Sequence, residues 1–222
     1  MTTPLSQFPK PDASKYLGKR KLFLIPNFPF GANLPTEGEK LLGKYWEEVE
    51  LHIENLEKTL GKATHLFHEM LFDNSEEGLK FIELSNPIGF TCIKKLSDSE
   101  AKLEITEDQA IVQENSDWQR CLSMGLSSEK VLNLAIKNLQ ETTSNRWGFI
   151  EEKINNTLKI NETALLFIRE DHKIQFKPDI EVFFVAPPSL DKLKKWIEIE
   201  INKNNQNNTV EKENLNTDKK NN

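Results

Sequence analysis

Hydrophobic positions along this chain follow two spacings, and they alternate. Lys21–Pro26 (KLFLIP) is a short apolar run stopped by proline and reads as a buried strand. After the loop NFPFGANLP, Thr36 and Glu39 form a T-x-x-E capping box that predicts a helix start. Leu42, Tyr45, Trp46, Val49, Ile53, Leu56 and Leu60 then recur every three or four residues, and Gly61 is the natural stop. Ala63–Leu71 reads as a second strand, so strand, helix and strand form a parallel crossover unit. Glu76–Leu84 reads as a short helix. Asn86-Pro87 then resembles a cap followed by proline at the first helical position, with a strand over Gly89–Ile93 as the competing reading.

Ala101–Thr106 (AKLEIT) is a third, weaker strand, and Glu107 to about Ser123 reads as helix. Ser127 or Ser128 opens a long helix to about Lys159, in which Thr142-Thr143-Ser144 and Gly148 predict a kink or break. Ala164–Ile168 (ALLFI) and Ile180–Ala186 (IEVFFVA) are continuous apolar runs, as expected of strands covered on both faces. Pro187-Pro188 ends the sheet, and Ser189–Glu200 forms a last helix. About five strands alternating with helices predict an α/β fold, a single domain over residues 21–201 with a mainly parallel sheet.

Composition narrows the picture. The chain has 222 residues, two cysteines and apolar runs of about six to eight residues, too short to span a membrane. Two cysteines cannot staple a chain of this size, and Cys92 and Cys121 read as free thiols. The formal charge of −6 is unevenly distributed: residues 1–20 carry +3 and residues 202–222 carry +1, leaving −10 between them. A body that acidic repels phosphate backbones and argues against a nucleic-acid partner, RNA-associated roles included. Residues 1–20 read as a flexible leader without the apolar core of a secretory signal, and the cytoplasm is the default address. Residues 202–222 hold nine Asn and read as a disordered tail.

In a parallel sheet ligands bind at the carboxyl ends of the strands, so the residues ending each strand matter most. Here they are Pro26-Asn27, His68-Glu69, Glu107-Asp108 and Glu170-Asp171-His172. Carboxylates and imidazoles on one rim suit a divalent metal or an acid/base pair. Polar groups returning to water at strand ends are the plainer reading. His65 and His68, three apart on a strand, face opposite ways and make no metal pair. His52 beside the first helix's apolar stripe reads as a core or boundary residue. Arg146 could point at the rim as an anion clamp or lie in solvent. The chain carries no phosphate-binding glycine loop and no nucleophile elbow.

The order ATHLFHEM (Glu69), AKLEITED (Glu107, Asp108), NRWGFIEEKINNTL (Arg146) and ALLFIREDH (His172) resembles the TraB/PrgY–Tiki superfamily, which is related in pattern to erythromycin esterases and ChaN proteins. The likeness spans residues 21–186. It departs at Asn27, where the family has a histidine, and at Arg169-Glu170, where it has glycine. The ending DIEVFFVAPPSLDKLKKW also looks like that of bacterial proteins to which no activity is attached. The resemblance implies a metal-dependent hydrolase or a weakened descendant. Glu69, Glu107 and His172 would be ligands or bases, His68 a second ligand, Asn27 a substituted orienting group and Arg146 a substrate clamp. The alternative is a non-catalytic binding or regulatory module on the same scaffold. Its contact surface would be the acidic rim or the apolar Phe28-Pro29-Phe30 tip, unless that tip is buried under the first helix.

Overall fold

A computed structural model describes residues 13–30, 34–99 and 101–203. A 3-10 turn at Ala13–Tyr16 leads into β1 (Arg20–Pro26), followed by α1 (Thr36–Leu60), β2 (His65–His68), α2 (Glu76–Ser85) and α3 (Pro87–Asp98). Then come β3 (Lys102–Glu104), α4 (Gln109–Ser123), α5 (Glu129–Thr157), β4 (Thr163–Ile168), β5 (Ile180–Phe184) and α6 (190–203). All strand pairings are parallel, in the order β3-β2-β4-β1-β5. The α/β class and the parallel five-strand sheet agree with the hydrophobic pattern. No helix among the described residues is long and apolar enough to cross a membrane.

Alternation along the strands divides the core in two. Phe23, Ile25, Leu66, Leu165 and Phe167 pack under α1, α3 and α6. Leu22, Leu24, Phe67, Leu166 and Ile168 pack under α5. The central strands β1 and β4 are buried along their whole length, which is why they read as unbroken apolar runs. Arg20 grips Asp179 through Nε and Nη2 while its Nη1 donates to the carbonyls of Asn155 and Leu158. The last turn of α5 is thereby tied to β1.

Several local expectations change. The T-x-x-E box does not form: Thr36 is already helical, and the cap position is Pro35, with no side-chain bond. Tertiary packing sets this helix start instead, because Gly38 lies against the Trp196 indole of α6. The second strand is shorter than Ala63–Leu71. The chain leaves it at Glu69, with Met70 in the left-handed region at φ 67° and the Leu71 N–H closing on the His68 carbonyl at 3.1 Å. The helix expected from Asn86-Pro87 does form, as Pro87–Asp98, and the competing strand over Gly89–Ile93 does not: the Asn86 side chain accepts from the Gly89 N–H at 3.0 Å and Pro87 opens the first turn.

The long helix runs through residues 142–148 without a break. The Thr142 hydroxyl donates to the carbonyls of Asn138 and Leu139, and Asn115 of α4 donates to both Thr142 and Thr143. Poor helix formers are thus held by an interhelical polar clamp. Residues 13–20, read as leader, carry the 3-10 turn and the start of β1, with Tyr16 edge-on to Phe183 at 5.1 Å. Residues 1–12 and 204–222, including most of the expected tail, lie outside the described residues.

The Gly38 contact is directly testable. A Cβ there would fall inside the Trp196 ring, so Gly38→Ala should lose about 1–3 kcal/mol of stability in urea unfolding. Pairing it with Trp196→Leu should return part of that loss; an additive double variant would mean that the two residues do not meet.

Candidate functional site

Insertion of β4 between β2 and β1 sets the carboxyl ends of these three strands side by side. Pro26 pairs with Ile168 and His68 with Phe167, so Asn27, Glu69 and Arg169 emerge along one rim. Alternation then sends their side chains to different faces. His68 turns toward α1 and α3, Glu69 toward α5.

On the α5 side the rim is ionic and buried. Arg146, projecting from the middle of α5, grips Glu107 through Nε and Nη2, and its Nη2 also reaches Glu69 Oε1 at 2.9 Å. Arg169, the residue after β4, binds the same Glu69 twice: Nε meets Oε1, and its backbone N–H donates to Oε2 at 2.9 Å. Glu107 also accepts the Met70 N–H at 2.8 Å, which holds the left-handed turn in place. The side chains of Glu107, Glu69 and Arg146 are 0%, 3% and 7% exposed, so both carboxylates and one guanidinium lie away from water, while Arg169, 43% exposed, closes the group from the solvent side. Burial alone would raise the Glu69 pKa; Arg169 and Arg146 outweigh it and hold the carboxyl below its usual range. Burial likewise opposes the charge on Arg146, but its bonds to Glu107 and Glu69 raise its pKa.

On the α1 side a chain of hydrogen bonds runs in one direction. Asn86 Nδ2 donates to Asn27 Oδ1 at 3.0 Å, Asn27 Nδ2 to His68 Nε2 at 3.3 Å, and His68 Nδ1 to the Glu69 carbonyl at 2.6 Å. That order places the imidazole proton on Nδ1 and leaves Nε2 as acceptor. Full burial lowers the His68 pKa to about 4, against the smaller opposing pull of the Glu69 carbonyl and charge. The ring is therefore neutral at neutral pH.

The remaining candidates are dispersed. His172, on the β4–β5 connection, accepts the Ile174 N–H at 3.3 Å and lies against Phe176. Burial lowers its pKa, while Glu69 and Asp171 pull the other way. The concave space beside it, lined by Pro26, Arg169, His172 and Phe184, is about 130 Å³. Asp108 caps α4 through the Ile111 N–H. His65 faces away from His68 and lies between Glu104 and Glu162 at 3.0 and 3.2 Å. Phe28 meets Tyr45 edge-on at 5.3 Å, and both it and Phe30 pack on the core, leaving only Pro29 of the apolar tip exposed. Cys92 is buried, which pushes its thiol up to about 12.

Glu69, Glu107 and Arg146 thus meet directly, with Arg146 turned to the rim and not to solvent, while His172 makes no contact with either carboxylate. Arg146 is not a free anion clamp, because both carboxylates already occupy it. His68, Glu69 and His172 do not form a ligand set, since strand alternation separates the first two. Among the described residues no three His, Cys, Asp or Glu side chains are grouped to hold a metal. Arg169 and Asn86 escaped the sequence reading. Arg169 had a signal, a cation directly after an apolar strand and opposite Glu69; Asn86 had one only as a helix cap. Searches against family models, curated proteins and solved structures found no match to this chain.

Two outcomes follow. His68 is depressed from 6.5 to about 4, so its contribution is complete above pH 6.5 and is lost as pH falls toward 4, amounting to about 3 kcal/mol. Urea midpoints measured across that window should fall more steeply for the native chain than for His68→Gln. Arg146→Met leaves two buried carboxylates facing each other and should lose about 3–5 kcal/mol at neutral pH. Adding Glu107→Gln should recover part of it; no recovery would place the loss elsewhere.

Proposed function

We propose that this chain is a non-catalytic binding or regulatory protein, built on a hydrolase-like α/β scaffold whose rim is closed by internal ion pairs. The supporting observation is the state of Glu69 and Glu107: each carboxylate is bound by a guanidinium in the interior. A general base works best with a pKa near the operating pH, and Glu69 is displaced the other way. His68 is neutral but only 2% exposed, beyond reach of a substrate. The space beside His172, about 130 Å³, is well below the roughly 300–1,000 Å³ of ligand pockets.

A metal-dependent hydrolase of the TraB/PrgY–Tiki kind is the second reading. It is favoured by Glu69, Glu107 and Arg146 meeting on one rim, with Glu69 near enough for its charge to act on His172. Such an enzyme would need a divalent metal held by these carboxylates, to polarise substrate and lower the pKa of bound water.

Thermal unfolding with Mg²⁺, Mn²⁺, Zn²⁺ and Ca²⁺ separates the two. The binding reading expects no metal-dependent rise in Tm and a lower Tm for Glu69→Gln with or without metal. A rise that saturates with one divalent ion and vanishes in Glu69→Gln overturns it in favour of the hydrolase.

A further inference from the structure

Away from the rim, one flank of α5 is left open where the β4–β5 connection passes it. The space between them is about 570 Å³, within the range of small-molecule sites. Its apolar wall is Leu139, Trp147 and Ile174, and Lys173, Gln140 and Ser144 stand around it. Gly148 keeps the wall low: a Cβ there would meet no atom within 4 Å.

The lining carries one cation without a counter-ion among the described residues, beside the uncharged polar groups of Gln140, Ser144 and Gln175. The Trp147 indole N–H and the Lys173 ammonium have no hydrogen-bond or ion-pair partner among the described residues. Glu151, the carboxylate of the lining, is neutralised by Lys177 at 3.1 Å. The Arg146 guanidinium lies over the Trp147 ring, 4.9 Å from its centroid. An apolar wall, uncharged polar groups and one unpaired cation complement a ligand with an apolar body and one acidic head.

We infer that this cleft between α5 and the β4–β5 connection is a binding site for a small amphipathic organic anion. Its aromatic or aliphatic body lies on Leu139, Trp147 and Ile174, and its carboxylate or sulfonate meets Lys173. The inference names a ligand for the binding reading above and rests on it in that sense.

The test uses the full chain and the probe 8-anilinonaphthalene-1-sulfonate, followed by fluorescence. One saturable site is expected, displaced by 1-naphthoate and octanoate but not by 1-naphthylmethylamine, which has the same body and the opposite charge. Gly148→Phe fills the cleft and should remove binding without lowering Tm. Lys173→Glu, at an exposed position, should weaken it about tenfold, the scale of one charge-assisted bond, and it decides the matter alone if Gly148→Phe does not fold. Undiminished binding in either folded variant, equal displacement by the amine, or no saturable site overturns the inference. The metal panel reads the rim and not this cleft, so the two ideas fail separately.

Discussion

Two carboxylates buried at the end of a parallel sheet must be matched by charge, and Arg146 is the residue that matches them. Its guanidinium joins Glu107 after β3 to Glu69 after β2, and Arg169 after β4 completes the balance. An unmatched charge in this position would be far more destabilising than the net gain from the pair itself. The group therefore fixes the arrangement of what surrounds it. It sets where the middle of α5 lies across the sheet, holds Met70 in its left-handed turn through Glu107, and lies over the Trp147 ring.

Glu69 joins this ionic half of the rim to the neutral half. Its carboxylate faces α5 and the two arginines, while its carbonyl accepts the His68 proton on the other side of the sheet. The chain from His68 through Asn27 to Asn86 ends on the helix cap of α3. A single residue thus belongs to both networks, because the adjacent side chains of His68 and Glu69 face opposite sides of the sheet while the His68 ring reaches back to the Glu69 carbonyl. Both networks shift pKa values away from neutrality, Glu69 by charge and His68 by burial. An acid/base catalyst needs the opposite.

Much of the fold was legible because burial on both faces leaves an unmistakable mark. β1 and β4 read as strands since every residue in them had to be apolar or shielded. The helix opened by Asn86-Pro87 was legible from its cap chemistry. Less legible was whatever depended on a distant partner. The T-x-x-E pattern at Thr36 gave way to packing of Gly38 on Trp196, far along the chain. The weak helix formers at 142–148 stay helical because Asn115 of α4 bonds two of them. Arg169, which looked like a lost glycine, is the second guanidinium on Glu69.

The sequence by itself determined the α/β class, the parallel sheet, the acidic body and the placing of Glu69 and Glu107 at strand ends, because periodicity and composition are local properties. Tertiary structure alone decided whether those charges face a ligand or one another. That outcome depends on strand order, which inserts β4 beside both β2 and β1, and on the position of α5 over the sheet. No local pattern encodes either one. Once they are set, Coulomb attraction in a buried site closes the carboxylates onto arginine.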